Sequence, residues 1–195
     1  MNSDIMKLSN KLIYSDSLHC GNEQVANSKL ILNSQGWVND SLHSLENSSC
    51  YGGEGCWLKH CLNPNNSVIF LNTQKLKDYE VREGELIYNE AEISLIEQLV
   101  NSFNQSGLPL TRIGVLSPYK KQTSLLQKKF SKVTDLEILT IDKSQGRDKE
   151  LIIISFVRSN ATEKVGNLLK DWKRINVALT RAKYKLILIG NRATL

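Results

Sequence analysis

The chain has 195 residues, 41% of them hydrophobic and 7% aromatic, which suits one domain with a sizeable core and excludes a disordered chain. No apolar run approaches the roughly 20 residues of a membrane-spanning helix, and Met-Asn-Ser-Asp-Ile-Met at the start lacks a basic-then-apolar signal pattern, so no membrane partner is expected. The net charge of +5 is divided unevenly: residues 1–100 hold 7 Lys/Arg against 13 Asp/Glu, and residues 101–195 hold 18 against 7. A basic C-terminal half is what a polyphosphate or nucleic-acid surface needs, although solvated lysines give the same count.

Along the chain, Ser3 is expected to cap a helix running to about Tyr14, with Ile5, Leu8, Leu12 and Ile13 on one side. Residues 15–66 are rich in Ser, Asn, Gly and Cys and read as an irregular insertion with at most short elements. Within it, residues 25–32 and a few aromatics look buried. Cysteines stand at 20, 50, 56 and 61, the last three near His60. That clustering hints at metal, but the spacings C-x5-C and C-x4-C match no common zinc pattern, so reduced structural or surface thiols are expected.

From Ser67 the pattern becomes regular. Residues 68–71 form a short apolar strand. Asn89 opens a helix, with Glu92 three residues on as a capping-box-like pair. Ile93, Ile96, Leu99, Val100 and Phe103 keep helical period, and Gly107 closes the helix. Residues 113–116 form a second strand, and 119–130 an amphipathic, basic helix. Residues 136–139 form a third strand. Residues 151–157 form a fourth, whose near-continuous apolar character fits a strand covered on both faces. A helix is predicted over roughly 165–183, broken near Trp172, and a last strand over 186–189, ended by Gly190. Alternating strands and helices predict an α/β fold with a parallel, three-layer sheet.

Three polar segments follow strands or lie on the neighbouring helix, where the carboxyl ends of an open α/β sheet bind ligands. In Ser117-Pro-Tyr-Lys-Lys-Gln122, Pro118 fixes a turn, Tyr119 offers a ring, and Lys120, Lys121 and Gln122 can reach phosphates. An ordinary helix start with a packed Tyr fits this segment equally well. Thr140-Ile-Asp-Lys-Ser-Gln-Gly-Arg-Asp-Lys-Glu150 is a polar loop between two core strands, with Gly146 permitting a tight turn; such loops are more often functional than decorative. In residues 172–183, Arg174 and Arg181 are seven apart, hence on one face if the helix is continuous. Two aligned guanidinium forks suit a phosphate, and two surface ion pairs are the plainer reading. There is no G-x-x-x-x-G-K-[ST] loop and no Asp-Glu pair after a strand for Mg²⁺. Phosphate chemistry here must use parts on another domain.

In order, these segments resemble the later motifs of superfamily-one helicases. Thr140-Ile-Asp-Lys-Ser-Gln-Gly-Arg-Asp148 is similar to the fifth motif, T-x-D-x-x-Q-G-x-[ED], and Arg174-Ile-Asn-Val-Ala-Leu-Thr-Arg-Ala182 to the sixth, R-x-N-V-A-[LIM]-T-R-A. A narrower resemblance, to the eukaryotic replication helicase/nuclease family, rests on Gln145-Gly-Arg-Asp-Lys149, Ser155-Phe-Val-Arg-Ser-Asn160, Leu168-Leu-Lys-Asp-Trp172, Cys20-Gly-Asn-Glu-Gln-Val-Ala-Asn27 and Val68-Ile-Phe-Leu-Asn-Thr73.

The resemblance implies a P-loop-NTPase-like, RecA-like second motor domain over residues 1–195, with 15–66 an insertion in it. It implies a fragment, since a first motor domain and a nuclease domain with an iron–sulfur cluster lie upstream in that family. ATP with Mg²⁺ would be shared with the first motor domain in cis. Arg181 would act as an arginine finger, Gln145 would contact the γ-phosphate or its attacking water, and Gly146 would let the backbone approach. Asp148 would hold the ribose, where the family more often has Glu, and Arg174 would support the motif helix. Thr140 would bind a phosphate of single-stranded DNA, with Ser117, Tyr119, Lys120 and Arg158 as neighbours on that strand. The implied setting is replication and repair, including flap processing and end resection, in the nucleus or mitochondrion, with a single-strand-binding protein as a partner. A free-standing nucleic-acid-binding module without ATPase activity and an RNA helicase of the same superfamily remain as alternatives.

Overall fold

In the computed structural model, which describes residues 1–33, 56–76 and 79–195, five strands form one parallel sheet. They are β1 (Val68–Asn72), β4 (Ile113–Ser117), β5 (Glu137–Thr140), β6 (Lys149–Ser155) and β7 (Ala182–Gly190), in the order β1-β7-β6-β4-β5. A separate antiparallel hairpin, β2 (Val81–Glu83) and β3 (Leu86–Tyr88), had no clear sequence signal. The helices are α1 (Ser3–Ser9), continued by a π-helical turn Asn10–Tyr14, then α2 (Glu23–Asn27), α3 (Trp57–Leu62), α4 (Glu90–Gln105), α5 (Lys120–Lys129), α6 (Asn167–Lys170) and α7 (Trp172–Leu179).

The central strands explain the layers. Leu151 and Ile153 of β6 point into one core with Leu95, Leu99 and Phe103 of α4 and Leu126 of α5. Ile152 and Ile154 point the other way, against Ile5 of α1 and Ala178 and Leu179 of α7. Strand side chains alternate, so both faces of β6 need cover, and helices supply it. β7 repeats the pattern, with Ile187 and Ile189 on the first face and Leu186 and Leu188 on the second. The parallel three-layer expectation holds. Each fully buried Leu or Ile contributes about 1.5–3 kcal/mol.

The cap of α4 is half of a capping box. Asn89 Oδ1 accepts from Glu92 N at 3.1 Å, but Asn89 N donates to Gln122 Oε1 at 2.9 Å instead of to Glu92. Gly107, with φ +90°, turns the chain after this helix, and Leu108 N closes it onto Phe103 O. Asn2 rather than Ser3 caps α1, its Oδ1 accepting from Asp4 N at 2.8 Å.

The last helix and strand differ more. α7 stops at Leu179 and β7 starts at Ala182, four residues earlier than expected. Arg174 and Arg181 therefore do not share a helical face. Thr180 turns the backbone, its hydroxyl donating to Asn176 O at 2.9 Å, and Arg181 O is drawn into sheet pairing by Lys149 N at 3.0 Å.

The stretch 15–66 contributes to the core through Leu30, Cys56, Leu58 and Cys61, whereas Val25 is exposed. Part of the expectation for that stretch, including Cys50, falls on residues 34–55, outside those described. Cys20, Cys56 and Cys61 are free thiols. Burial pushes the Cys61 thiol up to about 12, which makes it unreactive. Among the described residues no group of three or more His, Cys, Asp or Glu is placed to hold a metal.

Candidate functional site

The loop between β5 and β6 organises the site. Thr140 ends β5 in register with Ser117, which ends β4. The chain then makes a 3-10 turn, Ile141–Lys143, on the α1/α7 face, where Ile141 is fully buried beside Leu116, Ile152 and Ile154. It re-enters the sheet at Lys149, at the opposite end. Lys149 Nζ there lies 3.3 Å from Oε2 of Glu137, the first residue of β5, and donates to Thr111 O at 2.9 Å. Within the loop, Ser144 Oγ donates to Ile141 O at 2.7 Å, and Gly146 takes φ +75°. No atom lies within 4 Å of where a Cβ would stand on Gly146, so dihedral freedom, not space, selects glycine. Gln145, Gly146, Arg147 and Asp148 are exposed.

Arg181 sits directly before β7 and faces this loop. Its Nη1 lies 2.8 Å from Asp148 Oδ1, its Nε donates to Val177 O at 2.9 Å, and its Nη2 donates to Thr180 Oγ1 at 3.1 Å. A second link joins Arg174 Nε to Asp142 Oδ1 at 2.8 Å. Both pairs are partly solvated and each adds at most ~1 kcal/mol. Their effect is to orient the two segments on each other.

Contrary to the expectation from sequence, the three polar segments do not all gather at the carboxyl ends of the strands. Ser117 and Thr140 are at that end, but Asp148 and Arg181 immediately precede β6 and β7 and so lie at the amino end. Parallel strands require crossover connections, which carry the chain from one end of the sheet to the other. The 141–148 loop is such a crossover, with Thr140 at its start and Asp148 at its finish.

The carboxyl end is less open than its sequence suggests. Ser117 is fully buried, its Oγ accepting from Tyr119 N at 3.3 Å, and Tyr119 is 7% exposed. Arg158 is 3% exposed: its Nε lies 2.6 Å from Glu80 Oε2, and its Nη1 donates to Val165 O at 3.0 Å. Burial by itself would raise the Glu80 carboxyl, but hydrogen bonds from Arg158, Arg82 and the Ser159 N–H outweigh it and hold the group below the usual range. Direct contact of Ser117, Tyr119 or Arg158 with a strand is thus not available in this structure, because the core and Glu80 already engage them. Thr140 is half-buried and Lys120 is exposed.

Sequence reasoning missed the network beneath this edge. Glu92 Oε2 accepts from Ser155 Oγ at 2.6 Å and Val157 N at 3.0 Å. Gln122 Nε2 donates to Ser155 Oγ at 3.0 Å and Asn89 O at 3.2 Å, and Asn89 Nδ2 donates to Val157 O at 3.3 Å. Burial pushes Glu92 up to about 7, and its Oε1 has no partner. Val157 takes φ +69°, which costs a β-branched residue on the order of 1–3 kcal/mol. Glu92, accepting from the Val157 N–H, and Asn89, donating to the Val157 carbonyl, hold it there. From sequence, Glu92 is indistinguishable from an ordinary first-turn carboxylate.

A family model described as an AAA domain matches residues 1–193. The chain is 44% identical over 195 residues to the DNA replication ATP-dependent helicase/nuclease of Schizosaccharomyces pombe. It is 45% identical over 197 residues to the protein of that name in Mus musculus, and 43% identical over 191 residues to the one in Homo sapiens. All or 97% of the chain is covered, and it spans 14%, 18% and 18% of those relatives' lengths.

Proposed function

Because the chain belongs to the AAA-domain family matched over residues 1–193, we propose that it is the second motor domain of an ATP-dependent DNA helicase/nuclease acting in replication and repair, in the nucleus or mitochondrion. The observation that carries this reading is the 141–148 crossover, which joins a candidate DNA residue, Thr140, at one end of the sheet to the Asp148–Arg181 pair at the other.

Arg181 presents a fixed cation at the amino end, and Gln145 and Gly146, earlier in the loop that ends at Asp148, carry exposed side-chain and backbone donors. That donor set fits the γ-phosphate of a nucleotide held by a first RecA-like motor domain, which also supplies the phosphate loop and the Mg²⁺ ligands. Arg181 would neutralise charge that develops as the phosphoryl group leaves. Asp148 holds Arg181 through Oδ1, and its ribose contact would use the other oxygen. Arg174 couples the helix to the loop through Asp142. At the carboxyl end, Thr140 and Lys120 would contact single-stranded DNA, with Ser117, Tyr119 and Arg158 shaping the surface from below. Closure onto the nucleotide would then move the loop and alter the grip on DNA. Iron–sulfur chemistry belongs, on this reading, to a nuclease domain, and a single-strand-binding protein is a further partner.

The test is to mix this chain with a separately made first motor domain and measure DNA-stimulated ATP hydrolysis. Rescue should depend on Arg181. Rescue that survives Arg181→Ala rules the finger out.

A further inference from the structure

At the carboxyl end of the sheet, one of the large side chains that packing leaves exposed among the described residues is an indole. Trp172 begins α7 and is 53% exposed. α7 leads back to the amino end, where Arg181 precedes β7, so Trp172 stands at the same end as Thr140. The ion pair fixes this proximity: Arg174, two residues after Trp172, bonds Asp142, two residues after Thr140, at 2.8 Å.

The flanking chain carries more lysine than carboxylate, Lys164, Lys170 and Lys173 against Glu163 and Asp171. Lys173 Nζ lies 5.5 Å from the Trp172 ring centroid, and Lys164, Lys170 and Lys173 are exposed. The nearby Asp171 is engaged as the cap of α7, its Oδ1 accepting from Arg174 N at 3.2 Å. The buried side chains of this helix are Ala178 and Leu179, which leaves the indole outside the core.

We infer that Trp172 is a base-stacking platform for single-stranded DNA, with Lys173 and Lys170 on the adjoining phosphates. It extends the track that starts at Thr140 and Lys120, and it rests on the DNA reading of this end given above. A tryptophan ring offers its π-face to any base, and such a contact strengthens binding roughly five- to hundredfold per base. Because stacking neutralises no phosphate, it leaves the salt dependence of binding unchanged.

The experiment uses the 195-residue chain and a dye-labelled oligothymidine, with affinity measured by anisotropy across a salt series. Trp172→Ala should weaken binding at least fivefold with an unchanged salt slope, and Trp172→Phe should recover most of the loss. Light-induced crosslinking to an iodouracil-substituted oligonucleotide should mark the peptide containing Trp172. If the parent chain binds the oligonucleotide and Trp172→Ala binds it equally, with crosslinks elsewhere, the platform is refuted while the DNA reading stands. That result would assign the indole to a covering protein surface. If the parent chain does not bind at low salt, both fall.

Discussion

Arg181 and Asp148 face each other at 2.8 Å across the start of two adjacent parallel strands. The same Arg181 accepts a backbone hydrogen bond from Lys149, the residue after Asp148. Side chain and main chain thus fix the candidate finger to the end of the crossover loop. Asp148→Asn keeps the shape and removes the charge. In the two-domain ATPase reconstitution we expect Asp148→Asn to slow hydrolysis about tenfold and Arg181→Ala about a thousandfold or more. Chemical denaturation should place Asp148→Asn within ~1 kcal/mol of the parent, since the pair is partly solvated.

Glu92 makes stability pH-dependent. Burial pushes its folded-state value up to about 7 from an ordinary 4.5, so the folded chain binds more protons than the unfolded chain between those values. The contribution is fully present below pH 4.5, is lost as pH rises through 7, and amounts to on the order of 3 kcal/mol. Glu92→Gln can still accept from Ser155 and Val157. Urea titrations should show it matching the parent near pH 4 and exceeding it at pH 8. Equal stability at pH 8 would contradict this account.

Arg158 and Lys120 should separate cleanly. Arg158→Ala removes one of the two guanidinium partners of the buried Glu80 carboxylate while Arg82 and the Ser159 N–H remain, and the expected cost is about 1.5–3 kcal/mol in denaturant unfolding. Lys120→Ala should leave stability unchanged and lower the salt slope of single-strand binding by about 1. A folded, fully stable Arg158→Ala would show that the ion pair does not hold this edge.

Gly146→Ala introduces no clash, since the space around the glycine is open. The cost is that of φ +75° alone, about 1 kcal/mol. A thermal or urea midpoint measures it. A loss several times larger would mean that the loop backbone is held more tightly than its exposure indicates.

The sequence by itself determined the sheet and its cover. The apolar runs 151–154 and 186–189 alternate between two cores, which only a strand buried on both faces can do. Asn89 announced its helix because a cap is a local interaction within three residues. Gln145, Gly146 and Arg181 stood out as polar residues in fixed order beside those strands. Tertiary structure alone decided which ends of the sheet they occupy. Arg181 left the helix because its carbonyl pairs with Lys149, 32 residues earlier in the chain. Arg158 turned inward because Glu80, 78 residues away, waits beneath it. Periodicity reports which face of an element is buried, whereas a charge's partner depends on contacts that no local pattern encodes.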